Sequence, residues 1–151
     1  MTVKIKKSED VIAALDIARK NSHFFNSDGL KTMEKDFKKG LLIGAFDENK
    51  MVGFVAFKEL NDEAIDLAWI AVEPEAQGES IGTSLVEEGL NLLPKKYILC
   101  ETKTLSEIDP DPQYVRTRNF YKKLGFIPLE TINPYPGWGN DNPCQIFVKI
   151  L

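Results

Sequence analysis

The chain has 151 residues, of which 43% are hydrophobic and 28% are charged, as is ordinary for one globular domain. The formal net charge of −4 argues against nucleic acid as the main partner, because phosphate binding favours a basic face. One histidine and two cysteines without metal-ligand spacing argue against a metal site. No apolar run resembles a signal peptide or a membrane span, so we expect one cytoplasmic domain over residues 1–151.

The first forty residues predict one strand and two helices. Residues 3–5 have strand character, and Ser8 is a candidate N-cap for a helix whose apolar positions recur at helical spacing over residues 11–18. A second helix is predicted over residues 28–39, and Gly40 is expected to end it.

Residues 41–72 predict three strands. Residues 41–46 and 51–57 flank a polar turn, which favours a hairpin. Residues 64–72 form the next strand, and apolar side chains on both of its faces indicate a central strand covered by helices on both sides. Asp66 is the only acid inside this strand.

The remainder of the chain alternates helices and strands. Helices are predicted over residues 80–93 and 114–124, the second ended by Gly125, and strands over residues 97–105, 126–132 and 145–150. The sequence therefore predicts an α/β fold in one domain, with a mixed sheet of six or seven strands flanked by about four helices.

The segment from residue 72 to residue 85 combines a strand end, a loop and a helix start rich in small residues. The first N–H groups of a helix have no partner inside it, so they can form an anion site. Gly78 and Gly82 lack a Cβ, which would let the backbone approach a diphosphate closely. The same glycines would also suit a strand-to-helix turn that needs them only for packing.

This segment resembles the acetyl-CoA loop of the GNAT superfamily of N-acetyltransferases, which reads Gln/Arg-x-x-Gly-x-Gly/Ala after a strand ending in Val-x-Pro. The resemblance implies that backbone amides hold the diphosphate of acetyl-CoA and that the preceding strand pairs with its pantetheine arm. The residues implied are Gln77, Gly78, Glu79, Ser80, Ile81, Gly82 and Thr83 for the diphosphate, and Ile70, Ala71 and Val72 for pantetheine. Ser80 replaces the usual glycine, which costs roughly 1–2 kcal/mol if the residue is left-handed. Glu79 adds a negative charge near the phosphates.

A second motif, residues 119–126, reads Asn-Phe-Tyr-Lys-Lys-Leu-Gly-Phe and resembles the later GNAT motif of a helix end followed by a strand. The resemblance implies that Tyr121 protonates the departing CoA thiolate and that Asn119 hydrogen-bonds the pantetheine or phosphate region. A phenol of pKa about 10 can donate to a thiolate whose conjugate acid is near 8.5. The alternative is that Phe120, Tyr121 and Leu124 form only a core stripe at helical spacing.

The family often places a glutamate on the strand before the cofactor loop, and Asp66 stands at that position here. The resemblance thus makes Asp66 the candidate general base, with Glu63 and Glu101 in reserve. The alternative is a surface residue at the start of the strand. An unpaired buried carboxylate is costly, so we expect Asp66 to be near solvent, paired or functional.

The acceptor site is the least defined part of the sequence. Tyr135 and Trp138 could form one wall of an acceptor pocket, and residues 21–25, which end in Phe25, could form the opposite wall. Aromatic loop residues can also simply pack on a core. Acids in the loop over residues 106–113 would favour a cationic amine.

The resemblance implies direct transfer of an acetyl group from acetyl-CoA to an amine in a ternary complex, without a metal. The acceptor would be a small-molecule or peptide amine, with neither nucleic acid nor membrane as partner, and family members are often homodimers. One alternative is a CoA-binding sensor or interaction module without turnover. Another is a small α/β interaction domain that binds no nucleotide.

Overall fold

The computed structural model describes residues 2–139 and 142–151. Within them the chain forms seven strands and four α-helices. The strands belong to one sheet, and in chain order the elements are β1 (Lys4–Lys7), α1 (Val11–Arg19), α2 (Ser27–Lys39), β2 (Leu41–Asp47), β3 (Lys50–Glu59), β4 (Ala64–Val72), α3 (Ile81–Leu92), β5 (Leu99–Leu105), α4 (Pro112–Lys123), β6 (Ile127–Ile132) and β7 (Cys144–Ile150). The predicted fold class is confirmed, and most predicted boundaries lie within two residues of the observed ones.

The chain divides into two compact units. The first contains Met1–Glu59 and Leu67–Lys95, and the second contains Leu60–Asp66 and Lys96–Leu151. Strand β4 therefore contributes residues to both units. The expectation of one domain over residues 1–151 stays a prediction.

In the first unit, β1, β2 and β3 form an antiparallel sheet that α1 and α2 cover. The β2–β3 hairpin turns between Asp47 and Lys50, where Glu48 takes the left-handed conformation at φ 55°. The core beneath the two helices contains Ile17 of α1, Phe37 of α2 and Phe54 of β3. The rings of the last two pack edge to face with centroids 5.1 Å apart.

The predicted N-cap of α1 is wrong. Asp10, and not Ser8, caps this helix, because its carboxylate accepts from the Ala13 amide at 3.0 Å. The Ser8 hydroxyl instead accepts from the Asp10 amide at 3.1 Å, so it fixes the turn that leads into the cap. The helix consequently starts at Val11.

In the second unit, β7 pairs antiparallel with both β5 and β6. Helix α4 packs on this sheet and ends in a Schellman motif, in which the Phe126 amide donates to the Tyr121 carbonyl at 3.0 Å and the Gly125 amide to the Lys122 carbonyl at 3.1 Å. Gly125 has φ 91°, which only glycine adopts without strain, so its predicted role as the helix end is confirmed.

None of the helices in residues 2–139 and 142–151 is long and apolar enough to cross a lipid bilayer.

Candidate active site

The loop between β4 and α3 turns through two left-handed residues. A single 3-10 turn over Pro74–Ala76 follows the strand, Gly78 has φ 87°, and Ser80 has φ 63° and ψ 16°. A Cβ added at Gly78 would have nothing within 4 Å, so the backbone there lies open. The two left-handed residues reverse the chain direction in a few residues and start α3 at Ile81.

Helix α3 differs from the other described helices at its N-terminus. Side chains cap α1, α2 and α4, where Asp10, Asn26 and Asp111 accept from backbone amides of the first turn. Ser80 is the N-cap of α3 and makes no side-chain hydrogen bond to its first turn. The first amides of a helix have no acceptor inside it, and the Ser80 side chain supplies none for those of α3.

The glycine position taken by serine requires the left-handed conformation. The Ser80 hydroxyl does not cap the helix, so no capping hydrogen bond offsets the strain. The expected penalty of roughly 1–2 kcal/mol therefore applies to this residue. Strain held at a loop of this kind is typical of functional sites.

Gln77 contributes through its side chain as well as its backbone. Its Nε2 donates to the Val72 carbonyl at 3.1 Å and to Oδ1 of Asn21 at 3.0 Å. The Val72 carbonyl also accepts from Asn21 at 3.2 Å, so two side chains already bond this last carbonyl of β4. Any pairing of β4 with pantetheine is thereby restricted to the other backbone groups of residues 70–72.

The residue next to Asn21 anchors the same strand end. Nζ of Lys20 lies 2.9 Å and 3.1 Å from the two carboxylate oxygens of Glu73, which is buried. The hydrogen bond to Glu73 raises the pKa of Lys20 against the opposing effect of desolvation. The sequence predicted Asn21 only as part of an acceptor wall and gave Lys20 and Glu73 no role, because these contacts join residues more than fifty positions apart.

Asp66 is buried in the second unit and belongs to a charged cluster. Only 8% of its surface is exposed, so the alternative of a surface residue is wrong. Its Oδ2 lies 3.5 Å from Nζ of Lys103, which also lies 3.4 Å from Oε2 of Glu101. Burial lowers the pKa of Lys103, but the two carboxylates outweigh it and the net shift is upward. Lys103 was absent from the predicted site, since a lysine in a strand carries no sequence signal of its partners.

Tyr121 is the most buried aromatic residue of α4. It is 4% exposed, whereas Phe120, its predicted companion in the core, is only partly buried. Its ring lies 5.5 Å from that of Phe126 and 6.0 Å from that of Phe147, measured between centroids. Burial raises the pKa of Tyr121 to about 12, a hydrogen bond with the Thr102 hydroxyl opposes this, and the charge of Asp66 adds to it.

The two cysteines are buried and reduced. Burial raises the pKa of the Cys144 thiol to about 11, although the Lys103 ammonium opposes this shift. The thiol is therefore protonated at neutral pH and unsuited to attack a thioester. Among the described residues, no group of three or more His, Cys, Asp or Glu side chains is arranged to hold a metal ion.

The predicted acceptor residues fall in different units. Phe25, in the first, packs edge to face on Trp69 at 6.1 Å between centroids. Nε1 of Trp69 in turn donates to Asp36 at 2.8 Å. In the second unit, the ring centroids of Tyr135 and Trp138 lie 5.1 Å apart. Tyr135 also contributes to the raised pKa of Lys103.

The predicted cofactor residue Asn119 is exposed on α4.

Comparison with known protein families decides the affiliation of the chain. A model described as an acetyltransferase (GNAT) domain matches residues 38–128, which is more than half of the sequence. The chain belongs to the GNAT family of acetyltransferases. Its activity class is thus acetyl transfer, and the predicted enzyme class is confirmed. The match includes both the β4–α3 loop and the Asn119-to-Phe126 motif. No curated protein sequence matches this GNAT chain.

Solved structures share the GNAT fold over almost the whole chain. A GNAT-family acetyltransferase from Desulfovibrio desulfuricans superposes with a TM-score of 0.81 at 17% identity, covering 99% of both chains. The ribosomal-protein-S18-alanine N-acetyltransferase from Escherichia coli gives 0.77 at 21% identity, covering 99% of this chain and 94% of its own. An aminoglycoside 6′-N-acetyltransferase complexed with coenzyme A gives 0.76 at 18% identity, covering 97% and 96%.

Proposed function

We propose that this GNAT chain transfers the acetyl group of acetyl-CoA to an amine by direct attack in a ternary complex. The observation that carries the proposal is the start of α3, where left-handed Gly78 and Ser80 precede a first turn that the Ser80 side chain does not cap. Two of the proteins compared above are named as N-acetyltransferases, and the structure of one of them contains coenzyme A.

The diphosphate of acetyl-CoA would be held by backbone amides of residues 77–83, with the largest share from the first turn of α3. The residues fit this group because amides at a helix N-terminus point outward and the helix dipole favours negative charge. Gly78 leaves room for a close approach, since a Cβ there would meet nothing. Within residues 77–83, Glu79 is the only acidic side chain, and it would repel the phosphates.

Acetyl-CoA supplies an acyl group activated as a thioester, and the chain must supply the proton transfers. An alkyl amine of pKa about 10.4 is mostly protonated at neutral pH, so a base is useful. Asp66 would accept the proton from the amine. Its Oδ2 lies 3.5 Å from the Lys103 ammonium and only 8% of the residue is exposed, so the carboxylate is held in a fixed position.

Tyr121 would donate a proton to the leaving sulfur. Its pKa of about 12 keeps the phenol protonated throughout the neutral range. The Thr102 hydroxyl favours the charged form of Tyr121, which is the effect of a donor to the phenol oxygen. The phenol therefore keeps its proton until the C–S bond breaks. Transfer to a thiolate near pKa 8.5 is uphill, because the thiol is the stronger acid, and it is followed by reprotonation of Tyr121 from solvent.

The acceptor would be a cationic amine of a small molecule or a peptide. In the second unit, Tyr135 and Trp138 would provide apolar contacts to it, and the role of Phe25 stays a prediction from the sequence. Asp66 and Glu101 together exceed the charge of Lys103 by one negative unit, which favours a positively charged ligand.

The test is a panel of amines assayed for CoA thiol release, with and without the Asp66→Asn substitution. We expect at least one amine to give turnover, and we expect Asp66→Asn to lower kcat/KM about 10²-fold and flatten its rise with pH. Asp62→Asn is the control, because Asp62 is an exposed acid four residues before Asp66, in the turn that precedes β4. Background thiol release with every amine would contradict transfer, and an unaltered pH profile would exclude Asp66 as the base.

A further inference from the structure

Asn21 lies at the junction of α1 with the exit of β4 and uses its whole side-chain amide there. Its Nδ2 donates to the Ile17 carbonyl at 2.9 Å and to the Val72 carbonyl at 3.2 Å. Its Oδ1 accepts from Nε2 of Gln77 at 3.0 Å. Two donor protons and one acceptor oxygen are thus matched to three partners, which no shorter side chain could reproduce.

The partners of Asn21 bracket the turn that leads into the loop. Val72 is the last residue of β4, and Gln77 directly precedes Gly78. Gln77 also bonds the Val72 carbonyl at 3.1 Å, so Asn21, Val72 and Gln77 form a closed triangle of hydrogen bonds. This triangle brings the two ends of the 73–76 turn together and fixes the point from which the left-handed segment begins.

The direction of the first amides of α3 depends on that starting point. Gly78 has open space around it and can rotate more freely than other residues. Without an anchor at Gln77, the amides that follow Gly78 would sample several directions, and a ligand would have to order them on binding. An anchored loop avoids that loss of entropy.

We propose that Asn21 is a positioning residue for the diphosphate-holding loop, acting through Gln77 and the Val72 carbonyl. The inference rests on the proposed function, because it holds that Asn21 orients the backbone amides that would bind acetyl-CoA. The competing explanation is that Asn21 only closes the end of α1 through its bond to Ile17. The two explanations differ in what they predict for ligand affinity.

The experiment measures the Kd of acetyl-CoA by titration calorimetry for wild type, Asn21→Ala, Gln77→Ala and the double variant. We expect each single substitution to weaken binding about three- to tenfold, as for the loss of partly exposed hydrogen bonds. The Kd of the double variant should be about that of the weaker-binding single variant, because the two residues act as a unit. Asn91→Ala, at an exposed position late in α3, should leave the Kd unchanged.

A second readout separates positioning from helix stability. In the unliganded protein, the NMR amide signals of Gly78 and Ser80 should shift in Asn21→Ala and Gln77→Ala but not in Asn91→Ala. A lowered melting temperature with an unchanged Kd in Asn21→Ala would overturn the inference, as would additive effects in the double variant. Absence of acetyl-CoA binding by the wild type would instead refute the proposed function itself. If Asn21→Ala does not fold, Asn21→Asp, which keeps the acceptor for Gln77 but removes both donors, takes its place; weaker binding with shifted Gly78 and Ser80 signals supports the inference, and an unchanged Kd overturns it.

Discussion

At the scale of single residues, the first unit holds a strained backbone position and the second unit holds a buried polar group. Ser80 holds a left-handed conformation that glycine would adopt freely, and Tyr121 keeps a phenol inside the aromatic core of the second unit. Both residues are disfavoured by local physics alone, the first by sterics and the second by desolvation. Features of this kind mark positions where function and stability make different demands.

Ser80→Gly should stabilise the protein by about 0.5–1 kcal/mol. The substitution relieves roughly 1–2 kcal/mol of backbone strain in the folded state. Against this, glycine raises the entropy of the unfolded chain, which destabilises the fold by about 0.4–1 kcal/mol. Urea denaturation measures the change. Glu48→Gly is the matched control, since Glu48 is also left-handed, at φ 55°, in the β2–β3 turn. Glu48→Gly should give a similar gain without altering acetyl-CoA affinity, and a destabilised Ser80→Gly variant would refute the strain at Ser80.

Tyr121→Phe should lower kcat about 10²-fold or more while changing acetyl-CoA binding little. The ring contacts with Phe126 and Phe147 survive this substitution, so the fold should persist. Because burial raises the pKa of Tyr121 to about 12, kcat should show no loss assignable to this phenol near pH 10. Steady-state kinetics from pH 6 to pH 10 test both points. Tyr114→Phe, on the same helix, serves as the control, and normal turnover by Tyr121→Phe would leave Tyr121 as a core residue.

At the scale of elements, the end of α1 is attached to the end of β4. Lys20 bonds the Glu73 carboxylate and Asn21 bonds the Val72 carbonyl, so two neighbouring residues of one segment hold two neighbouring residues of the other. The same segment continues to Phe25, which packs on Trp69 of β4. Side-chain bonds therefore join the end of α1, the end of β4 and the start of the loop in the first unit.

Lys20→Met should lower the melting temperature at neutral pH. The substitution leaves the buried Glu73 carboxylate without its ammonium partner. The pKa of Lys20 is raised in the folded state, so its contribution is complete below the unfolded pKa of about 10.4 and is lost as pH rises through the higher folded pKa. The difference from wild type should accordingly be constant near neutrality and shrink above about pH 10.5. Lys31→Met, at an exposed position on α2, is the control. A difference that persists at high pH would show that the ion pair is not its cause.

At the scale of the whole molecule, acetyl-CoA should raise the stability of the folded chain. A ligand at 100 times its Kd adds about 2.7 kcal/mol to the free energy of unfolding if it binds only the folded state. Chemical denaturation with and without acetyl-CoA measures this, with adenosine as a control that lacks the diphosphate. Stabilisation without turnover on any amine would favour a CoA-binding sensor, whereas no stabilisation would favour an interaction domain that binds no nucleotide.

Much of the fold could be predicted because its signals are local. Alternating apolar residues, a polar hairpin turn and the glycines at positions 40 and 125 all act within a few residues of one another. The N-cap of α1 was misplaced because Ser8 and Asp10 are both good caps and lie two residues apart. The β4–α3 loop was predictable for the same reason as the helices, since a strand end, two glycines and a helix start follow one another within a few residues.

The amino-acid sequence was enough to predict the order of elements, the GNAT resemblance and the loop that we propose binds the diphosphate. Only the tertiary structure decided that Ser80 is left-handed, that Asp66 pairs with Lys103 and that Asn21 and Lys20 hold the end of β4. The physical reason is the range of the interactions. Propensities and turns depend on neighbours along the chain, whereas ion pairs, buried hydroxyls and side-chain anchors depend on which distant residues the folded chain brings within a few ångströms.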